Sequence, residues 1–130
     1  MDRGRLAPLT ALSGLPEEEL DAVARHATER EFAEGDTMMS QGDFGYSLFL
    51  VESGSADVVA QGEKIAEVGA GDIVGETAVL EGRRTASVVA TSPVKAIALF
   101  KRDVWALENE APEASRRLRA AMEERVPPGA

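Results

Sequence analysis

The chain of 130 residues holds no cysteine, one histidine, one tryptophan and one tyrosine. Without cysteine there is no disulfide framework and no thiolate to attack a substrate or bind a metal. A single histidine, His26, leaves a barrel metalloenzyme without its usual ligand cluster. His26 falls on a helix of the N-terminal lead-in and reads as a surface or packing residue. No nucleophile–base pair stands out, so an enzyme is not expected. Basic residues are also scarce: 14 Lys and Arg stand against 23 Asp and Glu, for a formal net charge of −9. That balance excludes the broad basic footprint of a protein that coats nucleic acid or an anionic membrane. A small anion remains within reach of a local arginine. Arg3 and Arg5 precede no apolar run long enough for a signal peptide, and no run is long enough to span a membrane. A cytoplasmic protein is the default expectation.

Hydrophobic residues make up 44% of the chain and charged residues 28%, the proportions of an ordinary globular domain. The length suits one domain, residues 1–130. Leu6, Leu9, Leu12 and Leu15 recur every three residues, which predicts a short helical lead-in docked by one edge. Pro16 suits the first position of a second helix. Glu17, Glu18 and Glu19 would then form a solvated first turn at the positive end of its dipole. Leu20, Val23, Ala24 and Ala27 follow the helical period as a buried stripe. From about residue 31 the rhythm shortens. Apolar runs at 37–39, 48–51, 56–60, 65–68, 86–90 and 94–100 are separated by Gly35-Asp36, Gly42-Asp43, Ser53-Gly54, Gln61-Gly62, residues 69–72 and Ser92-Pro93. Closely spaced short strands with such turns predict an all-β sandwich or barrel over residues 31–100. The helical period returns at Lys101, with Val104, Leu107 and Trp105 on one helix face. A second C-terminal helix from Pro112 carries Leu118, Ala121, Met122 and Val126 and ends at Pro127-Pro128-Gly129. Trp105 is assigned to the core rather than to a lid. No internal repeat is evident.

Residues 71–89 carry the functional signal. Gly71 and Gly75 open the stretch, and a short helix-competent run follows over residues 76–80. Gly82 then breaks the chain before Arg83, Arg84 and a β-branched run. A glycine at the mouth of a helix exposes backbone N–H groups that favour an anion. An arginine returning along the loop can grip the same anion with a forked pair of donors. The carboxylate of Glu76 would be repelled by a phosphate but suits a neighbouring hydroxyl. An anion at one end and a hydroxyl at the other describe a ribose phosphate. Gly69, Gly71 and Gly75 are spaced one residue too widely for a dinucleotide fingerprint, and the βαβ alternation it needs is missing.

The sequence Gly75-Glu76-Thr77-Ala78-Val79-Leu80, followed by Gly82-Arg83-Arg84-Thr85-Ala86-Ser87-Val88, resembles the phosphate-binding cassette of the cyclic nucleotide-binding domain family. Gly35-Asp36, Gln41-Gly42-Asp43, Leu48-Phe49-Leu50-Val51, Ser53-Gly54 and Gly71-Asp72 resemble its upstream frame. The likeness runs over roughly residues 9–110. It implies a mostly β fold, an eight-stranded antiparallel β-roll of jelly-roll type. Helices flank the roll at the N-terminus (1–30), a short cassette helix lies within it, and two helices follow at 101–126. By this resemblance Glu76 binds the ribose 2′-hydroxyl and Arg84 the cyclic phosphate, with Arg83 a solvated neighbour. Gly75, Ala78 and Ala86 offer backbone N–H groups or close approach. Thr85 stands where a hydroxyl is associated with acceptance of guanine. Val58, Ile65 and Val68 are candidate apolar walls for the base. Thr77 departs from the larger aliphatic residue usual there, and the loop from Glu76 to Arg84 is about one residue shorter than the common form.

The resemblance therefore implies a sensor module, of the stand-alone bacterial type, whose ligand is cAMP or cGMP and which needs no other cofactor. Its C-terminal helices would reposition about Lys101-Arg102 and signal to an effector protein, and a homodimer is compatible with the family. The helix-turn-helix of the family's DNA-binding regulators is not expected here. The alternative is a degenerate relative that has lost its ligand and serves as a protein interaction module.

Overall fold

A computed structural model of the chain describes residues 3–9, 12–42, 47–74 and 86–124. A 3-10 turn at Arg3–Arg5 leads to α1 (Glu17–His26). Eight strands follow: β1 (Thr28–Phe32), β2 (Thr37–Met39), β3 (Ser47–Ser53), β4 (Ser55–Ala60), β5 (Glu63–Gly69), β6 (Ile73–Val74), β7 (Ser87–Ala90) and β8 (Val94–Phe100). Two helices, α2 (Lys101–Glu110) and α3 (Pro112–Glu124), close the described chain.

The strands form two antiparallel four-stranded sheets, β1-β8-β3-β6 and β2-β7-β4-β5. Advancing each strand number by four turns the first order into the second read backwards. The roll is therefore built on an internal two-fold relation, and its corners show it at atomic detail. At residues 33–36 the Asp36 N–H donates to Ala33 O (3.0 Å) and the Ala33 N–H to Asp36 Oδ2 (2.8 Å). At residues 69–72 the Asp72 N–H donates to Gly69 O (3.0 Å) and the Gly69 N–H to Asp72 Oδ2 (2.8 Å). The third residue of each turn is a glycine at positive φ, Gly35 (90°) and Gly71 (92°), as a type II turn demands. Each glycine donates its N–H across the roll, Gly35 to Ala90 O and Gly71 to Val51 O. The expectation of no repeat thus holds for the residues and fails for the geometry, since only the Gly-Asp pair is common to both corners.

Two apolar cores flank the first sheet. Leu48, Leu50, Ile73, Ile97 and Leu99 face the helices, where they meet Leu20, Val23, Val104, Leu107 and Leu118. Phe49, Val51, Val74, Ala96 and Ala98 face the second sheet, where they meet Val58, Val68, Val88 and Ala90. A sheet buried on both faces explains the unbroken runs at 48–51 and 96–99; the second sheet, wet on one face, alternates. Lys64 on that wet face pairs with Asp57 and with Glu67.

The leucines of the lead-in are all buried. Their N–H groups bond three residues back, Leu9 to Leu6 O, Leu12 to Leu9 O and Leu15 to Leu12 O. A period of three, rather than 3.6, is the signature of that tighter turn geometry. Arg5 ties the lead-in to the first sheet through Glu29 (3.0 Å) on β1 and Glu52 (2.5 Å) on β3. Pro16 lies one residue before α1, as its N-cap. Glu17 and Glu18 are exposed as expected, but Glu19 is half-buried and accepts the Ala114 N–H (2.9 Å). It therefore satisfies an otherwise unpaired donor in the first turn of α3.

Trp105 corrects the core assignment. It is 41% exposed, and the Arg119 guanidinium lies 5.2 Å from its ring centroid. Val104 and Leu107, three apart, are fully buried, whereas Trp105 is turned off that face. Ala111, Ala114, Ser115 and Leu118 form the buried side of the last two helices. Val126 lies outside the described residues, as do the side chains of Ala121 and Met122.

Candidate functional site

The stretch singled out above is reached through the 69–72 corner. Gly71 and Asp72 are pinned to Val51 on β3 by two backbone hydrogen bonds, 2.8 and 2.9 Å long. The two residues of β6 then pair with Phe49 and Leu50. Ile73 enters the helix-side core and Val74 the core between the sheets. Gly75, Glu76, Ala78, Arg84 and Thr85 lie outside the described residues, as does the expected cassette helix. The chain is described again at Ala86, which is buried in the core between the sheets. β7 follows, in the middle of the second sheet. Residues 75–85 therefore connect the edge strand of one sheet to a central strand of the other.

The described lining of that interior is apolar. The only buried polar or charged side chains among the described residues are Asp103 and Ser115, both on the helices. Its second-sheet side is lined by small residues: Ala56, Ala86 and Ala90 are buried there, with Ala60 and Ala66 partly so. Alanine at these inward positions leaves more room than valine or leucine would. Such a surface can receive the flat face of a base, and at its edge the Arg30 guanidinium lies 5.3 Å from the Phe32 ring centroid and 5.8 Å from that of Phe49. Glu76, Arg83 and Arg84, in the connection at 75–85, lie outside the described residues.

Of the three candidate walls, Val58 and Val68 share this interior, at 9% and 4% exposure. Ile65 does not join them. The register of β4 on β5 passes from Val58↔Ala66 to Val59↔Lys64, so Ile65 is the extra residue of a bulge. Its side chain is 41% exposed. The sequence reading passed over Ala60 and Ala66, whose inward positions follow from their alternation with Val58 and Val68.

Among the described residues no group of His, Asp or Glu could hold a metal ion. No described helix is long and apolar enough to cross a membrane. A two-sheet β-roll flanked by helices, with an apolar interior and a glycine- and arginine-bearing connection between its sheets, defines a class of ligand-binding regulatory domain. The chain belongs to the cyclic nucleotide-binding domain family, whose description matches residues 29–110. It is 34% identical over 119 residues to the cyclic AMP receptor protein of Thermus thermophilus, covering 87% of this chain and 55% of that protein. It is 37% identical over 97 residues to a cAMP-dependent protein kinase regulatory subunit of Hypocrea atroviridis, covering 74% of this chain and 21% of the subunit. The chain thus spans about half of the first relative's length and about a fifth of the second's. Among solved structures, the regulatory subunit of a cAMP-independent protein kinase A from Trypanosoma brucei superposes with a TM-score of 0.79 at 30% identity. That match covers 94% of this chain and 44% of the subunit.

Proposed function

We propose that this domain is a cytoplasmic sensor that binds a cyclic nucleotide between its two sheets, cAMP and to a lesser degree cGMP. Arg84 grips the cyclic phosphate, and Glu76 accepts a hydrogen bond from the ribose 2′-hydroxyl. Gly75, Ala78 and Ala86 let the backbone approach the phosphate, and the base lies against Val58 and Val68. Ile65, at the bulge in β5, covers the base from the rim. The observation that carries this reading is the contrast between the apolar, alanine-lined interior and the connection at 75–85. That connection holds the polar groups such a ligand needs. The output passes through α2 and α3 to an effector protein, and no catalytic step belongs to the domain.

Isothermal titration with cAMP and cGMP tests the proposal. Arg84→Ala should weaken binding by about 2–5 kcal/mol if the arginine pairs with a desolvated phosphate. Unchanged affinity would falsify its role. Glu76→Ala should weaken cAMP but leave a 2′-deoxy analogue nearly unaffected; equal losses would make Glu76 structural. Thr85→Ala should reduce cGMP binding more than cAMP binding. The second reading, an interaction module without ligand, is favoured by the Trypanosoma relative, which is described as cAMP-independent. A variant of that protein carrying a threonine-to-arginine change among its three substitutions is described with cAMP bound. Absence of heat with either nucleotide at high micromolar concentration would select this second reading.

A further inference from the structure

His26 is the last residue of α1, and both its ring nitrogens face carboxylates of α2. Nδ1 lies 3.2 Å from Asp103 Oδ1 and Nε2 lies 2.8 Å from Glu110 Oε2. The histidine side chain is 23% exposed and that of Asp103 only 11%. The two carboxylates address opposite edges of the ring, so they make a bridge rather than a pocket for a metal ion. A neutral imidazole has one N–H and could satisfy only one of them; the imidazolium donates to both.

The described charged groups around it are engaged as follows. On α1, Arg25 reaches Glu110 through its second oxygen, at 3.4 Å. On α2, the remaining oxygen of Asp103 accepts the Phe100 N–H at 2.9 Å, which anchors the start of that helix. On α3, the described charged side chains are engaged elsewhere: Glu113 with Arg116 and Arg117, and Arg119 with Glu108. On β1, Glu29 is held by Arg5. The end of α1, where a cation is favoured by the helix dipole, is thus matched to two acceptors spaced about two turns apart along α2.

We propose that His26 is a proton-dependent clasp that holds α2 against α1. When the ring carries both protons it bridges Asp103, at the head of α2, and Glu110, at its tail. Loss of one proton turns a lone pair on one carboxylate and breaks the bridge at that end. Histidine as a residue type changes charge between about pH 5 and 8, and that is the interval in which such a clasp is to be tested. Glu110 is held below the usual carboxylate range, chiefly by its bond to His26, and so stays ionised throughout that interval. The helices that this clasp joins pack on the first sheet and not on the ligand-side interior.

Thermal melting of the unliganded chain at about pH 6 and about pH 8 tests the clasp. The sign is set by the protonated form being the one that bridges, so stability falls as pH rises. The melting temperature of the wild type should drop by about 2–4 °C more than that of His26→Gln over this step, the scale of one hydrogen bond in a domain of this size. Parallel drops overturn the proposal. Should His26→Gln fold poorly, Glu110→Gln replaces the carboxylate at the exposed end with an amide that can accept from the charged ring or donate to the neutral one, and should shrink the same step. A step of full size in Glu110→Gln likewise overturns it.

Discussion

At the scale of single residues, a tight constraint lies at the turn between the third and fourth strands. Gly54 joins β3 to β4 at φ +95°, and a Cβ built there would sit 2.2 Å from the carbonyl oxygen of Pro93. Gly42 has a similar φ of +90° but open space around it. Gly42→Ala therefore incurs only backbone strain, about 1 kcal/mol, whereas Gly54→Ala adds a collision with backbone and should cost about 2–3 kcal/mol or more. Urea unfolding of the two variants separates them; equal midpoints would remove the collision from the account. Arg5 makes a second residue-scale prediction. It holds the Glu29 carboxyl below the usual range, by hydrogen bonding first and charge second. A depressed carboxylate contributes stability above its ordinary pKa, and that stability is lost as pH falls through the lowered value. The stability difference between wild type and Arg5→Met should therefore shrink between about pH 5 and pH 3, and shrink further in high salt, because both partners are well solvated. A difference that stays constant with pH would show that Arg5 acts by packing alone.

At the scale of elements, Glu19 links two helices that the sequence presents as separate. Its carboxylate caps the first turn of α3 from across the bundle. Glu19→Ala should destabilise the chain by about 0.5–2 kcal/mol, the range for loss of a cap, and Glu19→Gln should recover most of it. Denaturant titration of the pair checks this; equal losses would mean that charge, not the accepted hydrogen bond, matters. The sequence could not reveal the contact, because a glutamate in a first turn has a sufficient local explanation in the dipole. The same logic sorts the strands. Those with apolar runs, β2, β3, β4, β5, β7 and β8, were legible, and the helices at 101–110 and 112–124 followed from their period. β1 was not, since Thr28, Glu29, Arg30 and Glu31 are all exposed and only Phe32 is buried. An edge strand held by backbone pairing to β8 leaves no apolar alternation to read. β6 was hidden by its length, two residues between a glycine turn and the cassette. In the site, Val58 and Val68 follow from alternation, but a bulge resets the pattern at Ile65. Glu76 and Arg84 were legible only as residue types at a spacing.

At the scale of the whole molecule, the first sheet separates two cores and belongs to both. Along β8, Ala96 and Ala98 face the interior between the sheets while Ile97 and Leu99 face the helices. Along β6, neighbouring residues divide in the same way, directly before the cassette. A ligand that rearranges residues 75–85 therefore pulls on a strand whose other face is the floor of α2 and α3. This predicts an energetic link between sites that do not touch. Leu107, fully buried among the helices, has no place in the ligand-side core. Leu107→Ala should cost about 2–5 kcal/mol of stability by leaving a cavity, which a domain of ordinary stability survives. Beyond that loss, the affinity of the folded variant for cAMP should change by a factor of about 2–30, corresponding to a coupling of about 0.5–2 kcal/mol. Titration of the variant at a temperature well below its melting point measures this directly. Val59, on the wet face of the second sheet, supplies the control, because Val59→Ala should leave the affinity unchanged. An unchanged affinity in Leu107→Ala as well would make the helices passengers on the roll. The signal would then have to leave through the cassette itself.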